Sequence, residues 1–411
     1  MCENASSTNA AAGSVQTGNL IILVLCQLIS ATGSIVMVTL GGIIGSTLSS
    51  NPAWATLPVT MMVVAVAAST VPASLLMRRI GRRYGFALAS LSSIAALALA
   101  VLALSLMSFS LFIVAGMLFG INMAFTQQYR YAAAESVPEK YVPRAVSLVL
   151  VGSIGGALLG PELTIRGEFW VGTIPYAGAL TAVAVLYFIQ FLLLLRLQGL
   201  QGVDDDGVTQ SDRPLRTIVL QPVFIVAVLG GVAGYGLMTL VMTATPLSMH
   251  VYDGFSLTQT AHVIRAHVLG MYVPSLASGF LIERFGVSRL MFVGALLLMV
   301  TTAIGLVGQS LLHYWWALVL LGVGWNFLYV GGTTMLTYTY ASDERFRAQA
   351  VNEFLVFGMS ATASLLAGTV IYYFGWFRLM LIPIPALIVI CIALYYVRRD
   401  PLLQRSAVQA N

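Results

Sequence analysis

Hydrophobic positions along this chain come in long blocks, not in the alternation of a half-buried strand or the narrow stripe of a surface helix. Twelve blocks of roughly 20 residues each can be marked off, and each is long enough to cross ~30 Å of hydrocarbon. They lie near 19–45, 52–77, 85–104, 107–134, 144–163, 173–195, 218–248, 259–283, 289–309, 313–340, 347–374 and 378–397. The pattern predicts an all-α membrane protein with 12 transmembrane helices. One polar stretch interrupts it: 196–217, with Asp204-Asp205-Asp206, Asp212, Arg213 and Pro214, follows the sixth block and reads as a linker. The expected layout is a disordered lead over 1–18, a six-helix bundle over 19–195, the linker over 196–217, a second bundle over 218–397 and a tail over 398–411.

Composition agrees. The chain is 59% hydrophobic and 9% charged, where a soluble domain is about 25% charged. With both termini in the cytoplasm, sixteen of the 20 basic residues fall on the inner side and two, Arg166 and Arg378, outside. That asymmetry sets orientation, so the basic excess is topological and implies no nucleic-acid partner. Residues 1–18 carry no Lys or Arg and lack the charged start of a cleaved signal. Cys2, Cys26 and Cys391 lie far apart and suggest neither a disulfide framework nor a Cys-x-x-Cys motif. No nucleophile–base pairing, phosphate-binding glycine loop or ATP-binding motif stands out, so an enzyme and an ATP-driven pump are disfavoured. No cofactor is implied, and a monomer is expected.

The two bundles repeat. Ser74-Leu-Leu-Met-Arg-Arg-Ile-Gly81 matches Gly279-Phe-Leu-Ile-Glu-Arg-Phe-Gly286, Gly120-Ile-Asn122 matches Gly324-Trp-Asn326, and Arg144-Ala145 matches Arg347-Ala348, all at nearly one offset. Two parallel six-span halves with the substrate near the bilayer midplane is a known transporter plan. Arg79-Ile-Gly81-Arg82-Arg83 and Gly279-x-x-x-Glu283-Arg284-x-Gly286 resemble the two copies of the loop motif of the major facilitator superfamily, a likeness covering about residues 19–400. It implies that family's fold and gradient-driven transport. The first copy departs from the pattern, with Arg78 where the family usually has Asp. Gly81 and Gly286 permit tight turns, and the arginines also fit simple anchoring at the inner headgroups.

Polar residues inside spans are costly and usually face a bundle interior or water-filled path. Span four offers Asn122, Thr126, Gln127, Gln128 and Arg130, span seven Tyr235, span eight Arg265, and span ten Trp325, Asn326 and Tyr329. They fit either a cavity that hydrogen-bonds a planar organic solute or plain helix–helix hydrogen bonding. Glu353 sits well inside span eleven; it is a candidate proton carrier, or half of a structural ion pair. Glu162 and Glu353 are the candidate partners of Arg265.

A second constellation is chemically distinct. Met238 and Met242 in span seven, and His267 and Met271 in span eight, are spaced i, i+4, so each pair projects from one helix face. Thioether and neutral imidazole suit Cu(I) far better than Mg, Ca or Mn, although Met in a span is also ordinary packing material. These pairs resemble the paired motifs of CcoA-type copper importers (the CalT family), close relatives of the RfnT-type riboflavin importers. Phe125 to Glu135 and Gly160-Pro161-Glu162 share that group's general look. The resemblance implies copper import across a bacterial inner membrane through Met238, Met242, His267 and Met271, with riboflavin as the alternative substrate. Spans seven and eight lack the membrane cysteines that such copper importers also use. The run Gly152-x-x-x-Gly156-x-x-x-Gly160-Pro161 partly resembles the motif of drug/proton antiporters, but Leu163-Thr164 stand where paired glycines are expected. A proton-driven exporter is therefore a third reading.

Overall fold

The computed structural model describes residues 3–137, 142–168, 170–172, 174–198, 213–341 and 344–403. Among them every regular element is helical. In order these are α1 (Glu3–Leu48), a 3-10 turn (Pro52–Trp54), α2 (Leu57–Ile80), α3 (Arg82–Ser105), α4 (Phe109–Thr126), α5 (Tyr129–Glu135), α6 (Val142–Arg166) and α7 (Ala177–Leu194). The later part holds α8 (Leu215–Val219), α9 (Pro222–Pro246), a π-helical turn (Leu247–Tyr252), α10 (Leu257–Tyr272), α11 (Ser275–Phe285), α12 (Val287–Val307), α13 (Leu311–Thr337), α14 (Arg345–Leu381) and α15 (Pro383–Val397).

Among the described residues, ten helical runs are long and apolar enough to cross a membrane, against twelve blocks in the sequence. The difference is local. Span eight is divided into α10 and α11 at Val273–Pro274, where proline has no N–H to offer the carbonyl of Gly270. Spans eleven and twelve form one run, Arg347–Val397, bent at Gly375 (φ 72°, ψ 178°). Span four is interrupted at Gln127–Gln128, between α4 and α5. Residues 3–18, expected as a disordered lead, continue α1; their Ala10-Ala11-Ala12 run favours helix. Most of the predicted linker, 199–212, and the end of the tail, 404–411, lie outside the described residues.

The chain divides into two compact units: residues 1–41 with 64–204, and residues 42–63 with 205–411. The division differs from a cut at the linker alone, because 42–63 belongs with the later helices. Inside that second unit Thr56 Oγ1 donates to the Ser364 carbonyl at 3.2 Å, and Thr60 Oγ1 to Ser364 Oγ at 3.1 Å. The second unit also ties down the end of the linker. Arg213 Nη1 meets the buried Glu344 carboxylate at 3.4 Å, and Arg347 Nη2 donates to the Arg213 carbonyl at 3.3 Å.

In the first unit the small-residue stripe of α6 does what its spacing predicts. A Cβ on Gly156 would lie 2.5 Å from Ala31 Cβ and 2.8 Å from Thr32 N, so α6 and α1 touch almost backbone to backbone. Asn19 and Gln198 then close the unit's ends, with Asn19 Nδ2 donating to the Gln198 carbonyl at 2.7 Å and Gln198 N to Asn19 Oδ1 at 3.1 Å.

Both loop motifs turn on a single glycine with positive φ and extended ψ. Gly81 has φ 82°, ψ 157° and Gly286 has φ 85°, ψ 149°, a region open essentially only to glycine. A Cβ at Gly286 would meet nothing within 4 Å, so substitution there tests backbone conformation without a clash. Gly286→Ala should destabilise the protein by about 1–3 kcal/mol, read as a lower melting temperature in detergent. Gly286→Asn should not rescue it, because asparagine tolerates the left-handed helical region and not this one.

Candidate functional site

The second unit gathers the sequence's aromatic candidates into one cluster. Trp325 and Tyr329 are four residues apart on α13 and stack at 5.1 Å with planes 12° apart. Tyr235, from α9, stands edge-on to both, at 5.1 Å and 79° to Trp325 and 5.0 Å and 80° to Tyr329. A fourth ring, Phe357 of α14, lies 5.8 Å from Tyr235. Sequence reasoning missed Phe357, although it follows Glu353 by four residues and so shares its helix face. Trp325 is buried, and its indole nitrogen has no hydrogen-bond partner among the described residues. Indole N–H is a donor only, so the cluster combines flat aromatic surface with one unused donor. Glu353 is half-buried on α14 and, like Tyr235 and Arg265, is engaged in a polar or electrostatic interaction.

Asn326, next to Trp325, faces the break in span eight. Its Nδ2 donates to the Met271 carbonyl at 2.8 Å and also to Ser275 Oγ, and its Oδ1 accepts from Ser278 Oγ at 2.7 Å. The amide nitrogen is therefore fully committed to holding α10 and α11 together. This favours the helix–helix alternative over ligand contact for Asn326.

The soft donors are distributed as follows. Met238 and Met242 are buried on α9, Met271 is half-buried at the end of α10, and His267 is fully buried. His267 Nδ1 lies 2.8 Å from the Leu318 carbonyl of α13. A carbonyl only accepts, so Nδ1 carries the proton and Nε2 keeps the lone pair; that nitrogen has no partner among the described residues. Both α9 and α10 pack extensively on α13, whereas α9 and α10 meet each other at most marginally. Among the described residues, no three His, Cys, Asp or Glu side chains are grouped to hold a metal ion. Cys26 and Cys391 are free thiols.

In the first unit, Asn122 is buried on α4 while Gln127 is exposed at the break of span four, with Gln128 and Arg130 half-buried beside it. Thr126 Oγ1 returns to the Met123 carbonyl at 2.9 Å. Arg130 stacks over Tyr131 at 4.9 Å. Glu162 pairs with Arg166 one turn on, at 3.0 Å. The first loop motif is anchored by Arg82, whose guanidinium grips Glu135 through two bonds, one of 2.6 Å from Nε. Arg79 is exposed and Arg83 lies over the Tyr84 ring at 5.5 Å. In the second copy Glu283 and Arg284 are exposed, with Arg284 over Phe285 at 5.6 Å.

The chain matches the family model of the Major Facilitator Superfamily twice, over residues 23–264 and 229–410. It is 36% identical over 375 residues to the riboflavin transporter RfnT of Brucella anthropi, covering 90% of this chain and 94% of that protein. It is 27% identical over 402 residues to the uncharacterized MFS-type transporter YddS of Bacillus subtilis, covering 92% and 90%. Among solved structures it is similar to the nucleoside transporter NupG (TM-score 0.73, 14% identity, 92% of this chain and 99% of that one). It is also similar to a bacterial homolog of the human lysosomal transporter Spinster in an inward-facing, unoccupied conformation (TM-score 0.69, 14% identity, 97% and 98%). At that identity the structural likeness shows the fold.

The Asn326 clamp makes a direct prediction. Asn326→Leu strands the Met271 carbonyl and the Ser275 hydroxyl at the span-eight break, while Ser278 Oγ keeps its bond to the Pro274 carbonyl at 2.8 Å. Leaving buried polar groups unpaired costs about 1–3 kcal/mol each, so the variant should melt several degrees lower in detergent. Ser278→Ala, which leaves both bonds of the Asn326 amide nitrogen in place, should lose less.

Proposed function

This chain belongs to the major facilitator superfamily, and from that membership we propose that it imports riboflavin, or a closely similar planar heteroaromatic solute, across a bacterial inner membrane by alternating access. It is a multi-pass membrane transporter and not an enzyme. The observation that carries the substrate reading is the ring cluster of Tyr235, Trp325, Tyr329 and Phe357. A flavin presents a flat tricyclic face for stacking and ring carbonyls on its edge that would accept from the unpaired Trp325 indole N–H. The relative of known substrate supports the same reading, since a 36% identical protein covering nearly the whole chain is a riboflavin transporter.

Copper import has weaker backing. His267 Nε2 is available as a ligand, yet the helices that bear the two soft pairs pack on α13 rather than on each other. None of the relatives found is named for copper. The exporter reading rests only on a partial motif, and the α6 glycines are fully used in packing against α1.

Cells expressing the protein should accumulate radiolabelled riboflavin saturably and should not accumulate radiolabelled copper when the two are measured side by side. Trp325→Ala should lower riboflavin uptake at sub-saturating concentration by roughly tenfold, the loss of about one stacking contact. Trp325→Phe, which keeps a ring and loses the donor, should fall between it and the parent. Copper accumulation without riboflavin uptake, abolished by His267→Ala at retained expression, would overturn the proposal.

A further inference from the structure

The first unit contains a polar centre that the transport reading leaves unexplained. Tyr187 of α7 is fully buried, packed edge-on against Phe119 of α4 at 5.6 Å and pressed onto the backbone of Gly33 in α1. Ser30 of α1, Ser93 of α3 and Asn122 of α4 lie within electrostatic reach of its hydroxyl, each outside hydrogen-bond geometry, and all three are buried as well. Part of this neighbourhood is fully paired. Ser30 Oγ donates to Gln190 Oε1 at 3.0 Å, and Gln190 Nε2 donates to Ser90 Oγ at 2.9 Å. The rest is not. The Tyr187 hydroxyl, Ser93 Oγ and both amide atoms of Asn122 have no hydrogen-bond partner among the described residues.

Four unpaired polar atoms from three spans, converging in one apolar interior, form a costly arrangement unless something bridges them. The internal repeat supplies a comparison within the same chain. Asn326, the counterpart of Asn122, is saturated by Met271, Ser275 and Ser278. At the offsets of the repeat, the positions matching Ser278 and Ser275 are Ala73, which has no hydroxyl, and Thr70, whose hydroxyl returns to the Val66 carbonyl at 2.8 Å. The first unit has thus kept the asparagine and lost the clamp.

We propose that Asn122, Ser93 and Tyr187, with Ser30 beside them, form an enclosed binding site for one or two water molecules in the interior of the first unit. The atoms present both donors and acceptors, as a bridging water needs. A cation is disfavoured, because the surrounding side chains are all neutral and an ion taken there would have nothing to offset its desolvation. In this assignment Asn122 serves the bundle interior and not the substrate. Spans one, three, four and six are joined there through an exchangeable bridge, where the second unit uses direct bonds.

The test is X-ray radiolytic footprinting of the full chain in detergent, read by mass spectrometry. Radicals form in place from bound water, so side chains touching an enclosed water are modified despite their burial. Tyr187 and Phe119 should be modified several-fold more than Phe112, which is equally buried and lies on α4 with Phe119. Modification of Tyr187 and Phe119 no greater than that of Phe112 would overturn the proposal. A second measurement is independent of labelling. Tyr187→Phe and Ser93→Ala should each lower the melting temperature, and the double variant should lose less than the sum, because both remove bonds to the same water. If either substitution leaves the melting temperature unchanged or raises it, as deleting a dry unpaired group would, the site is not hydrated.

Discussion

A backbone crossing hydrocarbon has no water to satisfy its N–H and C=O groups, and each one left unpaired costs several kcal/mol. That constraint explains why the described residues form helix after helix, and why the few interruptions matter. Where span eight breaks at Val273–Pro274, Asn326 takes the Met271 carbonyl and holds the serines of α11. Where α14 bends, a glycine with φ 72° carries the turn. Both departures from the ladder have a residue that makes them tolerable.

With lipid as apolar as leucine, burial of hydrophobic surface does little to drive one span against another, and close fit takes over. The contact of Gly156 with α1 shows this, as does Gly322, where a Cβ would fall 2.4 Å from the His267 carbonyl. Such approach welds α10 to α13, and the His267–Leu318 bond adds a polar staple. The imidazole that looks like a metal ligand in the sequence has a structural bond on one nitrogen and a free lone pair on the other. Geometry shows the structural use at that residue, and the substrate reading turns on the ring cluster instead.

The two repeats have the same origin and different interiors. Asn122 and Asn326 occupy equivalent places in the repeat, yet the second is saturated by a broken span and the first lies beside the Tyr187 hydroxyl with its amide unpaired among the described residues. The rings of Tyr235, Trp325, Tyr329 and Phe357 have no such assembly in the first unit among the aromatic contacts of the described residues. Duplication set the architecture, and later substitution gave each half its own chemistry.

Much of this was legible along the chain because length and hydropathy act locally. Twenty apolar residues must become a spanning helix, glycine at 81 and 286 must mark the turns, and a glycine every fourth residue in α6 must face a neighbour closely. The repeat offsets also exposed the duplication, and Trp325, Tyr235 and Tyr329 were visible as polar-tipped aromatics within spans. What tertiary structure decided was partnership. Sequence spacing shows which side chains share one helix face, but not which other helix that face meets. So it could not show that α9 and α10 each turn to α13, that Phe357 completes the ring cluster, or that residues 42–63 group with the later helices. Those choices depend on how distant segments pack, and periodicity carries no information about that.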